Sequence, residues 1–165
     1  MHRKAHELFS EVEGITKVEI FLLEGEEKDK TGITFPVYEN QQDSPTYGHV
    51  TLTGDDLSKF LELWQVQTPC LYMRAMCYDP VYVFRLYRGS RVVAQTNMCW
   101  KCSDFSVKVW PWQRELYGFD ARGKYGQELL AFCDTRLPYR RPPPRAPKPS
   151  PENNAAPDAR EIPGR

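Results

Sequence analysis

The strongest constraint on this chain is the stretch from Cys70 to Phe119, where short strand-like runs alternate with very short turns. Val81–Tyr87 is rich in β-branched and aromatic residues, and Arg88-Gly89-Ser90 has the composition of a hairpin turn. Arg91–Trp100 follows, then a brief connection at Lys101–Asp104, then Phe105–Trp110, which Pro111 ends. Leu116–Phe119 reads as one more strand, and Cys70–Tyr78 as an earlier one before the Asp79-Pro80 turn. Connections this short cannot hold a crossover helix, so successive strands must run antiparallel as a meander.

Two helices are readable by period. Leu57, Phe60, Leu61 and Trp64 recur at i, i+3, i+4 and i+7, behind a Thr53-x-x-Asp56 sequence suited to capping. Tyr125, Leu129, Phe132 and Cys133 give a second apolar face, with Asp120 placed to cap it. A short first helix fits Ala5, Leu8, Phe9 and Val12, with Gly14 just past its end. Lys17–Leu23 and Tyr47–Leu52 read as strands, Ile33–Tyr38 as an edge strand because of Pro36, and Asn40–Pro45 as a turn. The expected fold class is α+β: an antiparallel meander sheet of about five or six strands with two or three helices on one face.

Composition changes sharply near residue 138. Nine of the 14 prolines lie from Pro138 onward, and that segment has almost no apolar content beyond Tyr139 and Ile162. It cannot bury enough surface to offset its ordering entropy, so residues 1–137 are expected as one domain and 138–165 as a disordered proline-rich tail. Arg141–Pro147 matches a basic polyproline pattern of the kind aromatic grooves bind, although any linker this rich in proline and arginine satisfies it.

Charge argues against several classes. The chain is neutral overall, with 22 basic and 22 acidic residues; the tail carries about +3 and the body about −3. Nucleic-acid binding relies on basic excess to neutralise phosphates, and none is present. No apolar run approaches the roughly 20 residues of a membrane span, and the basic start lacks the apolar stretch of a secretory signal. Five cysteines without framework spacing suit reduced thiols, so a cytoplasmic location is expected.

Candidate chemistry is sparse. Cys99-Trp100-Lys101-Cys102 has the CxxC spacing of zinc knuckles and redox motifs. It lies between strands instead of opening a helix, and it has no second CxxC; the plainer reading is a turn carrying two cysteines. Cys77, Cys133 or His49 would have to complete a metal site. His49 near Asp55 and Asp56 suggests an acid–base pair, but aspartates at a helix start are routine. His2 and His6 beside Glu7 are a weaker metal candidate, and Ser90 lacks a nucleophile-elbow context. Trp110-Pro111-Trp112 is the aromatic group least able to enter one core, so Trp110, Trp112 and the nearby Tyr87 are the candidate partner-binding residues.

Gln95, the Cys99-Trp100-x-Cys102 unit, Gly118-Phe119-Asp120 and Gln127-x-Leu129-Leu130 together resemble a group of uncharacterised small bacterial proteins. The resemblance covers less than a third of the chain and implies a bacterial source without carrying over any catalytic residue. The expectation is a non-enzymatic protein-binding module, an inhibitory or immunity-type partner of another protein, with no cofactor. The alternatives are a CxxC-dependent metal or redox protein and a small hydrolase using His49.

Overall fold

The computed structural model describes residues 9, 12–36, 43–70, 79–109 and 115–139. Their centre is an antiparallel sheet. In chain order its strands are β1 (Lys17–Leu22), β4 (Gly48–Leu52), β5 (Pro69–Cys70), β6 (Tyr82–Arg88), β7 (Arg91–Cys99), β8 (Asp104–Val109) and β9 (Glu115–Phe119). In space the order is β4-β1-β6-β7-β8-β9-β5, six strands of five to nine residues with the two-residue β5 at one edge. A separate hairpin joins β2 (Thr34–Phe35) to β3 (Ser44–Pro45).

The expected meander is present from β6 to β9, each strand pairing with the next. Gly89 takes φ +58 in the tight β6–β7 turn, a value glycine adopts without steric cost. The meander does not extend back to Cys70. Pro69–Cys70 pairs with β9 at the far edge, because β6 already has β1 on its other side. Residues 71–78, the rest of the strand expected there, lie outside the described residues. The edge strand expected at Ile33–Tyr38 is shorter and belongs to the small hairpin. Ser44–Pro45, expected as turn, is its returning strand.

Alternation along the strands separates the two faces. Val18, Ile20 and Leu22 of β1 and Tyr82, Phe84 and Leu86 of β6 point into one large core. Both described helices pack there: α1 (Gly54–Gln65) and α2 (Lys124–Arg136). Phe60 packs on Phe84 at 5.4 Å and on Phe132 of α2 at 6.1 Å between ring centres. Of the expected first helix Phe9 and Val12 are described: Phe9 is buried against Trp64 and Phe105 at 4.7 and 5.0 Å, and Val12 packs, half-buried, on the same core. The helices are tied together at both ends. Gln67 donates its amide to the carbonyls of Leu63 and Tyr125, and Arg136 pairs with Asp56.

Both apolar faces are rotated from the sequence expectation. α1 buries Leu57, Phe60, Leu63 and Trp64, while Leu61 is half-buried. A helix covered by a sheet on one side and a second helix on another buries a wider arc than the simple stripe. α2 buries Gly126, Leu129, Phe132 and Cys133, and Tyr125 is exposed. At Gly126 α2 packs too closely for a side chain: a Cβ there would lie 2.2 Å from the Asp120 carbonyl oxygen. Asp120 still serves the helix start, accepting the Gly123 N–H at 2.9 Å, although Gly123 is the cap residue. Thr53 is at the α1 cap position but its side chain makes no capping bond.

Two contacts carry the chain past α2. Tyr82 donates its hydroxyl proton to the Leu137 carbonyl at 2.9 Å. Tyr139 is half-buried and donates to Glu24 at 2.5 Å, while its N–H bonds Asp134 at 2.7 Å. Packing therefore continues through Tyr139; residues 140–165 lie outside the described residues.

Candidate functional site

The sheet face turned away from α1 and α2 carries a different set of side chains. Phe21, Leu23 and Val83 form a small apolar cluster there with Phe35, brought over by the β2–β3 hairpin. Next to it the register lines up Thr51, Glu19, Arg85 and Gln95 across four strands. Lys17 and Tyr87, directly paired, lie one step along the same face.

These side chains hold one another. Tyr87 donates to Glu19 Oε2 at 2.5 Å, and Lys17 Nζ donates to Glu19 Oε1 at 2.9 Å. The same ammonium lies 3.8 Å from the centre of the Tyr87 ring, an effective cation–π distance. Arg85 donates Nε to Gln95 Oε1 at 3.1 Å, and its guanidinium covers Phe35 at 4.4 Å and Phe21 at 5.7 Å. His49, exposed, stacks on Phe21 at 4.5 Å with the rings 11° from parallel. The result is an array in which half-buried Lys17, Glu19, Arg85 and Gln95 lie over buried Tyr87, Phe21 and Phe35.

Its electrostatics follow from the same contacts. Burial alone raises the Glu19 carboxyl pKa. The Tyr87 hydroxyl, the Lys17 ammonium and the positive side of His49 outweigh that, and the pKa falls below the ordinary glutamate value. Tyr87 moves the other way. Burial raises its pKa most, the bond to Glu19 and that carboxylate's charge add to the rise, and Arg85 partly counters it.

Of the residues expected from sequence to bind a partner, Tyr87 lies in this array. Trp110 and Trp112 lie outside the described residues. His49 is on this face, whereas Asp55 and Asp56 belong to α1, which packs on the opposite one, and Asp56 is engaged by Arg136. The hydrogen bond from Arg136 is the main cause holding the Asp56 carboxyl below its ordinary pKa. Cys99 is buried at the end of β7 and Cys102 is half-buried in the following turn. Cys133 lies in the main core, where burial pushes its thiol pKa up. Among the described residues no group of three His, Cys, Asp or Glu side chains is placed to hold a metal ion, and no helix is long and apolar enough to cross a membrane. Cys77, His2 and His6 lie outside the described residues.

Sequence reading missed Lys17, Glu19, Arg85 and Gln95. Alternation already set Lys17 and Glu19 opposite Val18 and Ile20, and left Arg85 alone among the apolar residues of β6. What it could not supply was the register that brings three strands' polar residues together. Comparison with protein-family models, with curated proteins and with solved structures yields no match to this chain.

Proposed function

We propose that the chain is a non-enzymatic protein-binding module, an inhibitory or immunity-type partner of another protein, that docks on the open sheet face around Tyr87. One observation carries this reading. Tyr87, Arg85 and Lys17 are locked by Glu19 and Gln95 on a face that no described helix covers. Tyrosine and arginine are the residues binding hot spots favour. Side chains already fixed lose less freedom on association. Lys17 and Arg85 outnumber Glu19 in charge, so the complementary partner presents a carboxylate here, with apolar surface over the exposed His49 ring. Trp110 and Trp112 follow β8 in sequence and belong to the same proposal.

The test starts with capture of the partner on immobilised full-length chain, followed by titration of variants. Arg85→Glu should weaken binding at least tenfold in a chain that still melts cooperatively, and Tyr87→Ala and the Trp110→Ala/Trp112→Ala pair should each weaken it too. Unchanged affinity in folded Arg85→Glu would remove this face as the docking site.

A further inference from the structure

Residues three apart on a straight strand face opposite sides, so the thiols of the Cys99-Trp100-Lys101-Cys102 segment can converge only where the chain turns between them. The strand stops at Cys99. Residues 100–103 turn the chain so that Asp104 pairs directly with Cys99. The main-chain N–H of Cys102 donates to the Cys99 sulfur at 3.3 Å. The Cys102 sulfur is three covalent bonds from that nitrogen, so rotation about one side-chain torsion carries it toward its neighbour. A tight turn brings its ends within about 7 Å between Cα atoms, and a disulfide spans about 4.4–6.8 Å.

The turn is held from outside. Trp100 is buried and donates its indole N–H to the Gly126 carbonyl at 2.8 Å. The Phe119 N–H bonds the Ser103 carbonyl at 2.9 Å, and Ser103 takes φ +58, a left-handed value uncommon for a residue with a side chain. The two thiols differ in access: Cys99 is fully buried and Cys102 is half-buried. Asp104, across the strand pair from Cys99, is a buried carboxylate, 1% exposed. Side chains directly opposite one another in an antiparallel pair are neighbours on the same face.

We propose that Cys99 and Cys102 are a thiol–disulfide couple that exchanges with small-molecule disulfides, with Cys102 as the entry thiol and Cys99 as the resolving thiol. The Cys102 thiolate attacks one sulfur of the incoming disulfide, forming a mixed disulfide and releasing one thiolate, which takes a proton from water. Cys99 then gives its proton to the Asp104 carboxylate and attacks the Cys102 sulfur. The second thiolate leaves and takes up the proton held by Asp104, which restores the carboxylate. One external disulfide is reduced to two thiols, and one disulfide forms between Cys99 and Cys102.

The test equilibrates the full chain in buffers of oxidised and reduced glutathione, blocks remaining thiols by alkylation and maps the peptides by mass. The expected product is a Cys99–Cys102 link, with loss of two hydrogens and a titration set by the buffer ratio. Cys99→Ser should accumulate glutathione on Cys102, and Cys102→Ser should carry none on Cys99. Asp104→Asn should slow closure of the mixed disulfide at least tenfold, with recovery as pH rises and no change in its formation. Recovery of both cysteines as free thiols at every buffer ratio, in a chain that circular dichroism shows folded, would overturn the proposal. So would pairing of either with Cys70, Cys77 or Cys133. Mapping of the unsubstituted chain decides this even if a variant does not fold. Closure at the unsubstituted rate in Asp104→Asn would overturn the role given to that carboxylate.

Discussion

Tyr87 donates its phenolic proton to Glu19 diagonally across the β1–β6 pair, at 2.5 Å, while the other Glu19 oxygen takes the Lys17 ammonium. A carboxylate satisfied on both oxygens holds its charge to lower pH in the folded chain than in the unfolded one. Its stabilisation is therefore complete above the unfolded glutamate pKa, about 4.3, and is lost as pH falls through the lower folded value. Glu19→Gln should leave a smaller drop in urea midpoint between roughly pH 6 and pH 3 than the unsubstituted chain shows. Tyr87→Phe should cost about 1.5 kcal/mol near neutral pH, the lower end for a hydrogen bond to a charged group, since Lys17 stays with Glu19.

Helix α1 offers a test of where its core face lies. Leu63→Ala should cost roughly 2–5 kcal/mol, as for other buried leucines. Leu61→Ala, at a half-buried position, should cost about 1 kcal/mol. Denaturant unfolding of the two variants measures the difference, and equal costs would mean that the buried arc is centred between them.

The order of those two leucines shows what was legible in the chain. Spacing alone found both helices, the β6–β9 meander and three of the four buried positions on each helix. It misplaced Leu61 and Tyr125 because a helical period gives a stripe, whereas burial depends on how many neighbours cover the helix. It misplaced β5 because strand order across a sheet is a long-range property that local turns do not encode. The open-face array was hidden for the same reason: Glu19, Arg85 and Gln95 are 66 and 10 residues apart in sequence and adjacent only in register. The cysteine turn was legible as a turn, but its left-handed residue was not, because Ser103 takes that conformation where no glycine marks it.

Gly126→Ala separates packing from propensity. Alanine favours a helix over glycine by about 1 kcal/mol. Here its methyl would meet the Asp120 carbonyl oxygen at 2.2 Å and the Ala121 Cα at 2.9 Å, both main-chain atoms that cannot swing aside. The expected net effect is destabilisation by roughly 1–3 kcal/mol, read as a lower melting temperature. A rise in melting temperature would show that the α2 start relaxes freely.

Truncations locate the end of the folded body. A chain ending at Tyr139 should melt within a few degrees of the full chain, because it keeps the bonds to Glu24 and Asp134. A chain ending at Leu137 loses both and should be less stable by about 1–2 kcal/mol, at roughly 1 kcal/mol per net hydrogen bond. Equal melting of the two would mean that Tyr139 contributes nothing measurable.

The indole of Trp100 is buried one residue from Cys99 and hydrogen-bonded to α2. Disulfides quench indole emission by electron transfer at short range, whereas thiols do so less. A Cys99–Cys102 disulfide, as proposed above, would therefore dim Trp100 relative to the dithiol form. A chain with its other three tryptophans replaced by phenylalanine would let that state be followed optically, in real time and without a label.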